Sequence, residues 1–160
     1  MISLKQRMYS IVLRHLSGIQ KGIQASHSQD EYKIIHGEKD EYRRWLETDK
    51  TVVILETDST ELLNNARLEL AANEVSHSIF TEEDLGDIIT AISFVVDEKV
   101  WDFEAYPNCD FQPILTDHAL TKKEIFELKE KSQYEANVLV YGEKTAFLKQ
   151  FIKKFRLATN

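Results

Sequence analysis

Hydrophobic and polar positions follow two rhythms along this chain. Met8 to Leu13 is a β-prone apolar run followed by turn residues, which predicts a central strand. Ser17 then stands three residues before Gln20. Its hydroxyl can accept from the Gln20 amide while the Gln20 side chain reaches back, which makes a capping box. Ile19, Ile23, His27 and Ile34 share roughly one helical face, so a helix is predicted from Gly18 to Ile35 with that stripe buried. Gly22 inside it costs about 1 kcal/mol against alanine. A glycine there would let the helix lie close to a sheet or a ligand. His36-Gly37 ends the helix. A polar stretch to Asp49 follows, with Trp45 and Leu46 as anchors of a short helix.

Thr51 to Leu55 is nearly all apolar, as expected of a strand buried on both faces. Asp58 with Glu61 reads as a second capping box, and Leu62, Leu63, Ala66 and Leu70 form the stripe of the next helix. Ser76 to Thr81 reads as a strand, Glu82 to Asp87 as a polar loop, and Ile88 to Val96 as a strong strand. Two helical crossovers imply parallel pairs, and the last short connection implies an antiparallel one. The predicted fold class is α/β, a three-layer sandwich with a mixed sheet of about four strands.

Residues 1–96 read as the core, and residues 97–160 as an aromatic-rich loop and helical extension packed on it. Trp101, Phe103, Tyr106 and Phe111, with Pro107 and Pro113, suit a flap over the sheet edge better than a ligand wall. Thr121 and Glu124 form a third capping box. Val138 to Tyr141 fits a short strand or a helix. After Gly142, Phe147, Leu148, Phe151, Ile152 and Phe155 give a helix with a broad aromatic stripe, opposite Lys144, Lys149, Lys153 and Lys154. That stripe suits core packing or a homodimer contact through the C-terminal region better than a membrane surface.

Composition narrows the function. The chain has 160 residues, 42% of them hydrophobic and 29% charged, enough for one domain with a real core. One cysteine, Cys109, excludes an intrachain disulfide and a multi-cysteine zinc knuckle. No opening segment reads as a signal peptide and no apolar run is long enough to cross a bilayer, so a cytoplasmic protein with no membrane partner is expected. The net charge of -7 is unevenly placed. Residues 1–50 carry 9 Lys and Arg against 7 Asp and Glu, residues 51–117 carry 2 against 15, and residues 118–160 carry 9 against 5. Such a chain is not a general nucleic-acid binder, although Lys5, Arg7, Arg14, Lys21 and the tail lysines would make a local basic patch.

Most familiar chemistry is missing. There is no phosphate loop, paired-histidine zinc helix, serine elbow or glycine-rich dinucleotide turn. The five histidines lack metal-ligand spacing, and Glu82, Glu83, Asp84 and Asp87 match no calcium loop. No metal and no cofactor are expected. Cys109 would be a nucleophile only with a base such as His118 or His77 beside it.

Two stretches, Gly18-Ile19-Gln20-Lys21-Gly22-Ile23-Gln24-Ala25-Ser26-His27 and Phe80-Thr81-Glu82-Glu83-Asp84-Leu85-Gly86-Asp87-Ile88-Ile89-Thr90-Ala91-Ile92, taken with the element order, resemble the type II peptidyl-tRNA hydrolases of archaea and eukaryotes. The resemblance covers about residues 7–96. It implies a small α/β domain with a mixed four-stranded sheet and helices on both sides. It also implies a site where Gln24, Ser26 and His27 match the end of the family's first motif, and Asp84 and Thr90 its loop aspartate and threonine. Ala25 stands where the family often has cysteine. Gly18, Ile19 and Gln20 occupy the place of the family's Lys-Gly-Lys, so both lysines are absent; Lys21 lies one position on, about 100° round the helix. The activity implied is hydrolysis of the ester that joins a peptide to tRNA, with water placed at the carbonyl and the oxyanion supported. Asp84, His27 and Thr90 are the candidate catalytic residues; Gln20, Lys21, Gln24, Ser26 and Arg14 are the candidate ligand-binding residues. The alternative is a non-catalytic relative that binds a nucleotide, an RNA end or a partner protein through the same cleft, which the missing lysines favour. The small size also suits a bacteriophage or other accessory protein.

Overall fold

A computed structural model describes residues 3–110 and 119–160. The chain divides into two compact units, Met1–Glu98 with Lys153–Asn160, and Lys99–Ile152.

The first unit is an α/β sandwich around a five-stranded mixed sheet. β1 (Gln6–Leu13) leads through Ser17 into α1 (Gly18–His36), whose capping box is formed as the spacing predicts. α2 (Asp40–Arg44) runs into one wide turn, Trp45–Asp49, before β2 (Val52–Thr57). α3 (Thr60–Ala72), β3 (His77–Glu82), a single tight turn at Glu83–Leu85 and β4 (Ile88–Asp97) follow. The last strand, β5 (Arg156–Leu157), has two residues and is too short to leave a periodic signal.

The strand order is β3-β4-β1-β2-β5. β1 and β2 are parallel, while β4 is antiparallel to both β1 and β3. β1, β2 and β3 therefore point the same way, as the two helical crossovers require. The crossovers move in opposite directions across the sheet, so helices of one hand fall on opposite faces. α1 covers the face bearing Met8, Ser10, Val12, Ala91 and Ser93; α3 packs on the other with Leu63, Ala66 and Leu70.

The buried stripe of α1 is not the isoleucine stripe. Ile19 is 78% exposed and Ile34 76%, whereas Lys21, Gln24, Ala25, Ser28 and Tyr32 are buried. Polar residues face the sheet because the sheet offers them partners. Ser78, Ser93 and Ser10 stand in register on three adjacent strands and are all buried. Ser28 and Ser93 hydroxyls lie 2.5 Å apart, and Ser93 and Ser10 2.7 Å apart. Gln29 donates to Ser10, and Ser78 donates to the Ser28 carbonyl. Gly22 does not bring the helix close: a Cβ there would meet nothing within 4 Å. The small residues at the contact do so instead.

Other differences have local causes. Trp45 anchors its turn among Met8, Tyr32 and Tyr42 and donates to the Thr51 carbonyl at 2.8 Å, but Leu46 points to solvent. β2 is buried only in its second half, at Leu55, Glu56 and Thr57, because beyond it lies only the short β5. Ser59, not Asp58, caps α3 by accepting from Leu62, since the Asp58 carboxylate is held by arginines.

The second unit holds α4 (Glu98–Trp101) almost entirely, α5 (Lys122–Tyr141) and α6 (Glu143–Ile152). The Thr121–Glu124 capping box is present, and Val138–Tyr141 is the last turn of α5. Gly142 reverses the chain at φ +90°, a conformation that side chains rarely adopt. Lys149 is buried, not on a solvated face: its amine donates to the Tyr106 carbonyl at 2.5 Å and sits 4.8 Å from the ring centres of Phe103 and Tyr141. A carbonyl and two ring faces there replace hydration. Phe155 lies beyond the end of α6, in the turn before β5. Phe111, Pro113 and His118 of the aromatic loop lie outside the described residues.

Candidate functional site

Parallel β1, β2 and β3 all finish at one end of the sheet, where ligands of open α/β folds bind. The first turns of α1 start there, and the loop into β4 returns there. Residues from the two sequence motifs meet at this end in a polar cluster around Gln24, and a second cluster forms around Lys21, one turn away on α1 (about 4.5 Å of rise).

The first cluster hangs on Gln24. Its amide donates to Glu82 at 2.9 Å, and its carbonyl oxygen accepts from the Thr90 hydroxyl at 2.5 Å. The β3–β4 register skips Thr90 between the pairs Phe80–Ala91 and Thr81–Ile89. That bulge turns the Thr90 side chain, fully buried, toward α1. His27 stacks on Phe80 with ring centres 4.5 Å apart and stays exposed. Ser26 lies exposed on α1, and Asp84 lies exposed in the turn between β3 and β4.

The second cluster is ionic. Lys21 is buried and bonds Glu56 at 2.6 Å and the Thr159 carbonyl at 2.6 Å. Glu56 also accepts from Arg156 at 3.0 Å and from the Thr159 amide at 3.2 Å. Burial alone would raise the Glu56 carboxyl, but hydrogen bonds from Lys21 and Thr159, with the Lys21 charge, hold it below the usual glutamate range. Arg14 and Arg156 both bind one oxygen of exposed Asp58, at 3.3 and 2.6 Å. Gln20 is occupied by the α1 cap, with its side chain on the Ser17 amide.

Beside this ionic cluster lies a groove of about 320 Å³, lined by Glu56, Thr57, Asp58, Leu62 and the tail residues Lys153 to Arg156. The structure thus joins Gln24 to Thr90, and Arg14 to the basic tail through Asp58. It places Lys21 against Glu56. Glu56, Asp58, Glu82 and Arg156 are the members that sequence reasoning missed. The available signal was the pair Glu56 and Asp58 directly after an apolar parallel strand, where the chain reaches the ligand end of the sheet.

Among the described residues no group of three His, Cys, Asp or Glu side chains could hold a metal ion, and no helix is long and apolar enough to cross a membrane. No family model and no curated protein matches the chain. Among solved structures, a protein of unknown function from Agrobacterium tumefaciens strain C58 is similar at 14% identity and a TM-score of 0.43, covering 61% of this chain and 91% of its own.

Proposed function

We propose that this chain is a non-catalytic binding domain that takes an anionic group, the phosphate of a nucleotide or RNA end, in the groove at the carboxyl end of β2. The observation that carries the reading is the convergence of two guanidinium groups, Arg14 and Arg156, on one carboxylate oxygen of Asp58. One carboxylate oxygen between two cations leaves positive potential over the groove, which Lys153 also lines, while Lys154 is paired with Glu69 at 2.7 Å. The groove has the size of a small-ligand site. Arginine suits a phosphate because its planar fork presents paired donors.

Ester hydrolysis has less support. The Thr90 hydroxyl is buried and already donates to Gln24. Lys21, the cation nearest the missing family lysines, is neutralised by Glu56. The four strands β3-β4-β1-β2 with helices on both sides accord with the family resemblance, and a shared fold does not carry an activity with it.

Titration with adenosine monophosphate and with deacylated tRNA tests the reading, beside a peptidyl-tRNA release assay. Both ligands bind in a salt-dependent way, and the Arg14→Gln/Lys153→Gln variant weakens both. Asp58→Asn removes the competing carboxylate and tightens binding about fivefold, equivalent to roughly 1 kcal/mol. Peptide release stays at the buffer rate. Release above that rate, abolished by Asp84→Asn, would replace this reading with the hydrolase one.

A further inference from the structure

Five contacts of residues 156–159 form a recognition pattern of their own. Arg156 bonds Glu56 and Asp58, the Ala158 amide donates to the Ile54 carbonyl at 2.9 Å, and Thr159 offers both of its backbone groups to a single ion pair. The Lys21 amine donates to the Thr159 carbonyl while the Glu56 carboxylate accepts from the Thr159 amide. Leu157, the apolar side chain within β5, is 66% exposed. The receiving groups are the opposite case. Lys21 and Glu56 have side-chain exposures of 4% and 1%, lie 2.6 Å apart, and are fixed on α1 and β2. The host pair is buried, while Arg156, Leu157 and Thr159 of its occupant are exposed. Segments held this way open at low free-energy cost.

We propose that the Lys21–Glu56 pair is a peptide-binding site, which takes an extended segment of a partner protein and is occupied in this chain by its own C-terminal strand. The site's chemistry defines its ligand. One donor and one acceptor read the C=O and N–H of a single residue, whatever its side chain. Glu56 and Asp58 read an arginine three residues earlier. The edge of β2 supplies main-chain pairing between them, as in strand addition to a sheet edge. This site shares Glu56, Asp58 and Arg156 with the neighbouring groove, but its probe is a peptide and not a phosphate, so failure of nucleotide binding and failure of peptide binding are read apart.

A fluorescein-labelled peptide with the sequence of residues 155–160, Phe-Arg-Leu-Ala-Thr-Asn, serves as the probe. The protein is the full chain carrying Arg156→Ala and Ala158→Pro, which removes the arginine anchors and the Ile54 bond of the resident strand. Peptide binds this variant at least about tenfold tighter than wild type, where the tethered strand competes at high effective concentration. Adding Lys21→Met abolishes binding, and replacing the peptide's arginine by alanine weakens it. In the wild-type chain, saturating peptide lowers hydrogen-exchange protection at the Ala158 amide, a readout that holds even where the double variant folds poorly. No binding to a folded double variant, or binding unaffected by Lys21→Met, overturns the proposal. A concentration-dependent dimer of the double variant that excludes peptide also overturns it, by assigning the site to a second copy.

Discussion

Replacing Lys21 by methionine tests the physics of the site most directly. Methionine keeps the length and apolar stem of lysine and deletes the charge. It leaves Glu56, with 1% of its side chain exposed, facing Arg156 from one side and the Thr159 amide from another. Breaking a buried pair at one partner costs about 3–5 kcal/mol because the remaining charge is uncompensated. Arg156 is half-exposed and still bonds Glu56, so the loss falls at the lower end, about 3 kcal/mol. With a urea slope near 2 kcal/mol/M, that is a midpoint lower by about 1.5 M. The measurement is urea unfolding at neutral pH followed by Trp45 fluorescence, in a Trp101→Phe background so that only the first unit reports. The Lys21→Met/Glu56→Leu double variant removes both charges and is more stable than Lys21→Met alone, by about 1–2 kcal/mol. A Lys21→Met loss below about 1 kcal/mol, or single losses that simply add in the double variant, would show that water screens this pair and that the burial argument is wrong.

Three further outcomes follow from the same contacts. Ser93→Ala removes the middle hydroxyl of the row under α1, leaving Ser10 and Ser28 each short of a partner. It lowers stability by about 1–2 kcal/mol in a denaturant melt, whereas an exposed serine such as Ser26 changes by less than about 0.5. Gly22→Ala stabilises the first unit by about 0.5–1 kcal/mol in the same assay, because the position is helical, exposed and open to a methyl group. Acid weakens the C-terminal strand first. Glu56 has a folded-state pKa below its unfolded value, so its contribution is present above the usual glutamate range and is lost as pH falls through the folded value. The protection factor of the Ala158 amide, its intrinsic exchange rate divided by its observed rate, therefore falls on acidification, and Glu56→Gln removes that fall.

Much of the first unit was legible because its signals are local. The Ser17 capping box forms as predicted, as the Thr121 box does in the second unit, and β1 to β4 fall within a few residues of the apolar runs. The face of α1 was not legible from apolar periodicity. Its stripe of isoleucines points outward, and a helical stripe of Lys21, Gln24, Ser28 and Tyr32 points inward. Those residues are buried because partners on other strands satisfy them, and their pairing becomes visible only once Ser10, Ser78 and Ser93 are in register. Thr90 shows the same limit. Alternation along β4 would set it on the face opposite Ala91, and a bulge reverses that. The ionic cluster joins residues 35 and about a hundred positions apart, Lys21 to Glu56 and Glu56 to Arg156, through a two-residue strand that no window-based pattern detects.

The row of serines beneath α1 has a mechanical consequence. A greasy helix–sheet seam tolerates sliding, since one methyl group meets another about as well as the next. Hydroxyls at 2.5 to 2.7 Å do not: displacing α1 along its axis by one turn separates Ser28 from both Ser93 and Ser78 together. The helix is keyed rather than greased. Its first turns, which carry Lys21 and Gln24, therefore keep a fixed station above the strand ends, and whatever binds there meets a surface that does not drift.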